Sequence, residues 1–290
     1  MLIVFLASVL CVQAATVTNK VLTTAGDLLS LSTYQASKKI SVCVTGIVTV
    51  AEPHWGGRFI VQDPSGGVFV NNTTQPQPAL GDVVEVTGIS HPGGYAPDIM
   101  SPRWKKLGSA PLPEALPVSV EQLMSGTEDG LRIEVTGVVR SVHVAQLVAN
   151  RLVVELASGG YRFRVFPPVS PDLDTNSLVG ATVRLRGTAT ASFNAPLRHI
   201  LTVVVFVPQA ADFMVDRMPT KTESQPPITP LRSIAQYRRN SSPAARIRVQ
   251  GTVIYQRLGQ DIFLHEKADG LQVRCRDTNI FASGEIVEAV

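Results

Sequence analysis

Five histidines are scattered through the 290 residues, His54, His91, His143, His199 and His265. No two stand three or four apart, the spacing that sets a metal-binding pair on one helical face. The sequence also lacks a Gly-x-Ser-x-Gly nucleophile elbow, a phosphate-cradling Gly-x-x-x-x-Gly-Lys loop and a Cys-x-x-Cys pair. Asp63, Asp82 and Glu85 fall at turn or strand positions, where carboxylates cap or are solvated. Nothing here implies a catalytic residue, a metal or a cofactor. What remains is binding chemistry in three clusters: His54 and Trp55 followed by Gly56-Gly57; His91, Tyr95 and Asp98; and Phe193, Asn194 and Arg198. An exposed Trp and Tyr beside a His and an Asp could stack on a ring and fix it with polar contacts. The competing reading is that Trp55 and Tyr95 only cover the open end of a small barrel.

These clusters matter only if the elements that carry them bring them together. Val42, Val44, Gly46 and Val48 recur at two-residue spacing; Ile133, Val135, Gly137, Val139 and Ile247, Val249, Gly251, Val253 repeat the pattern. Such alternation describes one strand with a buried face, present three times. The glycine in each predicts a bulge or bend that coils the strand. Each copy continues into a hairpin: Arg58 to Val70 around Pro64-Ser65-Gly66-Gly67, Arg151 to Val165 around Ala157 to Gly160, and Asp261 to Cys275 with a turn ending at Gly270. A glycine then opens a fourth strand at Gly81, Gly180 and Gly284. A fifth strand follows in the first two copies, about Arg103 to Leu107 and His199 to Val207. Short helices are expected before each first strand, at Asp27 to Leu31, at Ser119 to Met124 with a capping box and a stop at Gly126, and at Pro230 to Tyr237.

Five short strands in about 70 residues fit an OB-type barrel, with a small β-sandwich as the structural alternative. The fold class expected is therefore all-β: OB-like domains over 22–108 and 117–216 and an incomplete third over 229–290. Asn71 to Leu80, with Pro76 and Pro78, reads as a loop where a helix is usual. The Pro-rich joints 111–117 and 219–230 suggest a semi-rigid string. On this fold the three clusters fall in the loops between strands one and two and between strands four and five, which form a lip over the ligand-binding face.

Composition narrows the class further. With 44% hydrophobic and 17% charged residues, 22 Gly, 20 Pro and 3 Cys, the chain is no disordered tail, coiled coil or disulfide-dense scaffold. The net charge of +3 is slight, and residues 23–108 and 117–216 are near balance, which argues against nucleic acid as the partner. Only the third repeat is clearly basic; its Arg238, Arg239, Arg246, Arg248, Arg274 and Arg276 could meet phosphates, an acidic partner domain or anionic lipid headgroups. Residues 1–12 are apolar and Ala14 offers a small residue for cleavage, so 1–14 reads as an export signal, shorter than the ~20 residues of a membrane span. Cys43 and Cys275 fall in different repeats, Cys43 facing outward and Cys275 inward, so no disulfide between them is expected.

The run Val61-Gln-Asp-Pro-Ser-Gly-Gly-Val-Phe-Val70, then Leu80-Gly-Asp-Val-Val-Glu-Val-Thr-Gly88, Gly93-Gly-Tyr-Ala-Pro-Asp98 and Glu128-Asp129 resembles the extracytoplasmic input region of large bacterial sensor histidine kinases. In that family a signal or first membrane helix precedes tandem OB-like domains, and a membrane span, dimerising helices and a kinase domain follow. The resemblance implies a non-catalytic, exported sensory region, a fragment of a membrane-anchored homodimer that binds a small ligand or a protein partner. No phosphate-accepting His in a dimerising helix and no ATP-binding glycine box occurs in these residues, so the family's catalytic residues do not carry over. The alternative is a secreted OB-fold protein binding single-stranded nucleic acid or oligosaccharide.

Overall fold

The structure, a computed structural model, describes residues 21–290 except 74, 75, 146–149, 172, 176, 221–224, 237–245 and 276–277. The predicted export signal over 1–14, together with Arg238, Arg239 and Arg276, lies outside the described residues. Two short helices, α1 (Ala25–Leu29) and α2 (Thr33–Ala36), lead into β1 (Ser41–Val50), β2 (Phe59–Asp63), β3 (Gly66–Val70), β4 (Asp82–His91) and β5 (Asp98–Ser109). These five strands close into a barrel in the order β1-β2-β3-β5-β4, antiparallel except for the β3–β5 contact at Val70 and Ile99. A second set follows: β6 (Leu116–Pro117), α3 (Val120–Ser125), β7 (Arg132–Val144), β8 (Leu152–Ser158), β9 (Tyr161–Phe166), β10 (Thr182–Asn194), β11 (His199–Phe206) and β12 (Phe213–Arg217). Pairing of β7 with both β8 and β10 closes the ring β7-β8-β9-β11-β10, with β9 and β11 parallel as β3 and β5 are. The third repeat, β13 (Val249–Arg257), β14 (Asp261–Glu266), β15 (Asp269–Arg274) and β16 (Ile286–Ala289), forms an open four-stranded sheet. The expected all-β, OB-like architecture is the observed one.

The alternation behaves as its period requires. Val42, Val44 and Val48 on β1 and Val135 and Val139 on β7 point into their barrels and are buried, each contributing about 1.5–3 kcal/mol of apolar burial. The glycine within that pattern does something other than bulge. In all three repeats the register shift lies two to four residues further on, at Val48/Val50, Val139/Ser141 and Val253/Tyr255. Gly46, Gly137 and Gly251 sit where the first strand crosses closely over the second: a Cβ would stand 2.5 Å from the Gln62 carbonyl oxygen, 3.1 Å from Leu156 Cβ and 3.0 Å from Leu264 Cβ. Helix α3 forms as its sequence dictates, with Ser119 and Gln122 closing a reciprocal capping box and Gly126 at φ +77 ending it.

Three expectations need correction. Gly66 and Gly67 lie within β3, not in the turn, and are buried by packing. Among the described residues of 230–236 there is only a 3₁₀ turn at Leu231–Ser233, with Pro230 at its N-cap, and Tyr237 lies outside the described residues. The first Pro-rich joint is more than a semi-rigid spacer between separate domains: Leu116 and Pro117 pair with β7, and Arg132 Nη1 donates to the Pro113 carbonyl at 3.0 Å. The described part of 71–80 carries no helix, as expected.

Candidate functional site

The two closed barrels dock on each other, and the reason is written in their strands. In β2 and β3 the core residues Phe59, Val61, Val68 and Val70 alternate with Ile60 and Phe69, which are also apolar; β11 does the same with Val203 and Val205 inside and Val204 and Phe206 outside. A strand apolar on both faces must be covered on both. Ile60 and Phe69 of the first barrel meet Phe166, Val204 and Phe206 of the second, with Val50 and Trp55 completing the cluster. Polar contacts fix the register. Gln62 Oε1 accepts from the Arg132 backbone N–H at 2.9 Å, Thr188 Oγ1 donates to the Thr49 carbonyl at 3.4 Å, and the Arg151 guanidinium pairs with the buried Glu52 carboxylate. At the centre Gly67 lies backbone to backbone against Gly130, so close that a Cβ on Gly130 would stand 2.5 Å from the Gly67 carbonyl oxygen. A glycine at 130 is required twice, since its φ is +81.

The β4–β5 loop of the first barrel and the β10–β11 loop of the second reach across this joint and meet. Arg198, near the tip of the second loop, donates Nη1 to the Gly93 carbonyl at 2.6 Å and Nη2 to the carbonyls of Pro92 and Tyr95 at 2.8 Å each. The Tyr95 and Phe193 rings stack with centroids 6.1 Å apart and planes 19° from parallel. Gly94 makes room for this, since a Cβ there would lie 2.6 Å from Phe193 Cζ. His91 Nδ1 and Asp98 Oδ1 are 2.8 Å apart, and the Gly93 N–H is 3.0 Å from the same ring nitrogen. Nδ1 can serve only one of these contacts as a conventional hydrogen bond: carrying its proton it donates to Asp98, and bare it accepts from the Gly93 N–H.

Under these loops lies a cavity of about 220 Å³. Trp55, Ile60, Phe69, Tyr95, Pro97 and Phe193 make its apolar wall, and Asp98, Asp129 and Thr190 are its polar groups. Asp98 is buried and Asp129 partly buried, and this burial raises each above its ordinary carboxylate value. Opposing it are the hydrogen bond and charge of His91 and the charge of Arg198 at Asp98, and the Ala191 N–H, which donates to Asp129 Oδ1 at 2.7 Å. Burial raises the Tyr95 phenol too, with the Asp129 charge adding to it. Arg198 is not among the lining residues, and among the described residues no cationic side chain lines the cavity.

The structure thus brings Trp55, Tyr95, Asp98 and Phe193 of the predicted clusters to one cavity. His91 and Arg198 support it from outside. His54 is exposed, near the Phe206 ring at 6.5 Å, and Asn194 closes its own turn by accepting from the Leu197 N–H at 3.1 Å; neither reaches the cavity. Trp55 packs edge-on against Phe206 with centroids 5.1 Å apart, so it seals the joint as well as lining the cavity. Asp129, Ile60 and Phe69 were not singled out as site residues. The signal for the two apolar ones was present, the unbroken runs Phe59-Ile60-Val61 and Val68-Phe69-Val70. Among the described residues no group of three His, Cys, Asp or Glu could hold a metal ion, and no helix is long and apolar enough to cross a membrane.

The sequence matches no family model, and no curated protein matches it. Among solved structures the chain is similar to an aspartyl-tRNA synthetase from Entamoeba histolytica, with 12% identity over 36% of this chain and 22% of that one and a TM-score of 0.27. It is also similar to a murine DNA-binding protein solved with double-stranded DNA, with 13% identity over 62% and 97% of the two chains and a TM-score of 0.29. The chain spans less than a quarter of the synthetase's length. Likenesses of this size carry no argument about what the chain does.

Proposed function

We propose that this chain is a non-catalytic binding module, the sensory input region of a membrane signalling protein, whose ligand is held between its first two barrels. The observation that carries the reading is the convergence of the two lip loops: both barrels build one cavity, so whatever fills it touches both sides of the joint. A ligand that contacts two bodies binds best to one arrangement of them, which is the requirement for occupancy to be felt elsewhere in the chain. The further assignment to an exported, homodimeric sensor histidine kinase is supported by the resemblance of the Val61–Val70, Leu80–Gly88 and Gly93–Asp98 runs.

A thermal-shift screen of small molecules against the wild-type chain and Ala96→Leu tests the binding reading. Ala96 lines the cavity from the β4–β5 loop, and the larger side chain occupies its space. Compounds that raise the melting temperature of the wild type and not of the variant are expected. Tight binding of single-stranded DNA with a steep salt dependence, and no cavity-dependent hit, refutes it. The kinase assignment is tested by the coding sequence after Val290, where a membrane span and kinase boxes are expected and an immediate stop codon removes it.

A further inference from the structure

We infer that the inter-barrel cavity is a site for a small organic ammonium ion carrying a single aromatic ring, an arylalkylamine in chemical class. The inference rests on the binding reading above and goes beyond it in naming the ligand chemistry. Size comes first. A dry cavity of about 150 Å³ takes one benzene ring, so the present 220 Å³ accommodates a ring with a short arm and not a fused polycyclic body. The wall chemistry fixes the rest. Trp55, Phe69, Tyr95 and Phe193 offer ring faces, which attract both another ring and a cation.

The polar groups are of one sign. Asp98, only 8% exposed, and Asp129 both line the cavity. Each has one oxygen engaged, Asp98 Oδ1 by His91 and Asp129 Oδ1 by the Ala191 N–H. Among the described residues no donor reaches the second oxygen of either. An anionic ligand would meet two carboxyl groups and no lining cation. A neutral hydrocarbon would leave both carboxyl groups dehydrated with nothing in return. An ammonium group supplies up to three donors and the missing positive charge, and it does so where hydrogen bonds to charged groups are strongest.

The test uses the full chain with three probes of nearly equal size, 2-phenylethylamine, 3-phenylpropionate and ethylbenzene, read by the fluorescence of Trp55 in a Trp104→Phe background. Saturable quenching by the amine is expected, with affinity at least about tenfold above either of the others, about 1.4 kcal/mol. Asp129→Asn and Asp98→Asn should each remove most of that preference while leaving the response to ethylbenzene in place. Two variants are needed because Asp98→Asn also disturbs the His91 contact. Equal binding of all three probes, abolished by Ala96→Leu, overturns the ammonium assignment and leaves the binding reading standing. Absence of saturable amine binding at concentrations where the wild-type joint is intact overturns the assignment as well, and the screen above then decides the binding reading separately.

Discussion

Replacement of Gly67 by alanine should open the joint without unfolding either barrel. Gly67 lies on β3 with its missing side chain directed at the second barrel, and a Cβ placed there would overlap the Gly130 carbonyl group and stand 2.9 Å from Gly130 Cα. Comfortable carbon contacts are about 3.5–4.0 Å, so the two backbones must part by on the order of 1 Å. Both contacting groups are backbone, and neither can swing aside as a side-chain end would. A separation of that size carries the adjacent Gln62–Arg132 hydrogen bond, now 2.9 Å, out of range, at a cost of about 1 kcal/mol. Loosening the Ile60, Phe69 and Phe206 contacts adds about 1–3 kcal/mol, the usual cost of overpacking a fitted interface. The total, roughly 2–4 kcal/mol, falls on the joint and not on the cores, whose residues face the other way. Denaturant unfolding followed by Trp55 emission, again with Trp104→Phe, reads this directly: the emission should shift to longer wavelength before the far-UV circular dichroism changes. Gly108→Ala is the control, since a Cβ there meets nothing within 4 Å. If Gly67→Ala and Gly108→Ala give superimposable curves with unshifted Trp55 emission, the barrels are not held at this contact and the account of the joint is wrong.

Gly46→Ala should destabilise the chain more than Gly137→Ala or Gly251→Ala, because its Cβ meets backbone at 2.5 Å and the other two meet side-chain Cβ atoms at 3.1 and 3.0 Å; urea midpoints rank them. Arg198→Ala removes three hydrogen bonds to loop carbonyls and should cost about 1–3 kcal/mol and weaken cavity ligands, with Arg198→Lys only partly restoring both, since one ammonium cannot span the three carbonyls as the planar fork does. Asp129→Asn should melt above the wild type at pH 7 and level with it near pH 4. The folded state holds the Asp129 proton more tightly than the unfolded chain, so the stability this group contributes is present below the ordinary carboxylate range and is lost as pH rises through its raised value. The Asn amide is neutral throughout and still accepts from the Ala191 N–H, and the neighbouring Tyr95, Asp98, His91 and Arg198 are unchanged. A melting temperature lower than wild type at pH 7 contradicts the cost assigned to burying this carboxylate.

The barrels were legible because a two-residue period leaves little freedom: with Val42, Val44 and Val48 inside, strand register and the following hairpin are fixed. Capping was legible for the same local reason, as at Ser119 and Gln122. The bulge at Val48/Val50 was not, because nothing in a Val-Thr-Val run marks which residue drops out of the ladder, whereas Gly46 draws attention for what proves to be close strand crossing. The docking of the barrels was half legible. Ile60, Phe69 and Val204 break the alternation and so announce a covered outer face, yet nothing in one strand says what covers it. Gly66-Gly67 reads as a turn signal after Asp63-Pro64, and its role in backbone docking depends on Gly130, more than 60 residues away and invisible to any local rule. Of the residues that line the cavity, Trp55, Tyr95, Asp98 and Phe193 stood out by their chemistry in the expected lip loops. His54 and Asn194 had the same credentials and point elsewhere, because the joint claims one loop end and a turn hydrogen bond claims the other.

The joint and the cavity share the carboxylates of Asp98 and Asp129. Asp98 comes from the first barrel and Asp129 from the second, and in the docked arrangement burial opposes the charged form of each, which works against the attraction of the Ile60, Phe69 and Phe206 cluster. A counter-charge in the cavity relieves the opposition without altering the apolar contacts, and by linkage a ligand present at a hundred times its dissociation constant adds about 2.7 kcal/mol to the docked arrangement alone. That is about half of the roughly 5.5 kcal/mol needed to carry a two-state joint from 1:99 to 99:1. A ligand of this kind therefore shifts a joint already poised near balance and cannot assemble one that is far from it. The contacts named here place polar and apolar attraction on one side and carboxylate burial on the other, and the strength of the response is set by how nearly those two cancel when the cavity holds no cation.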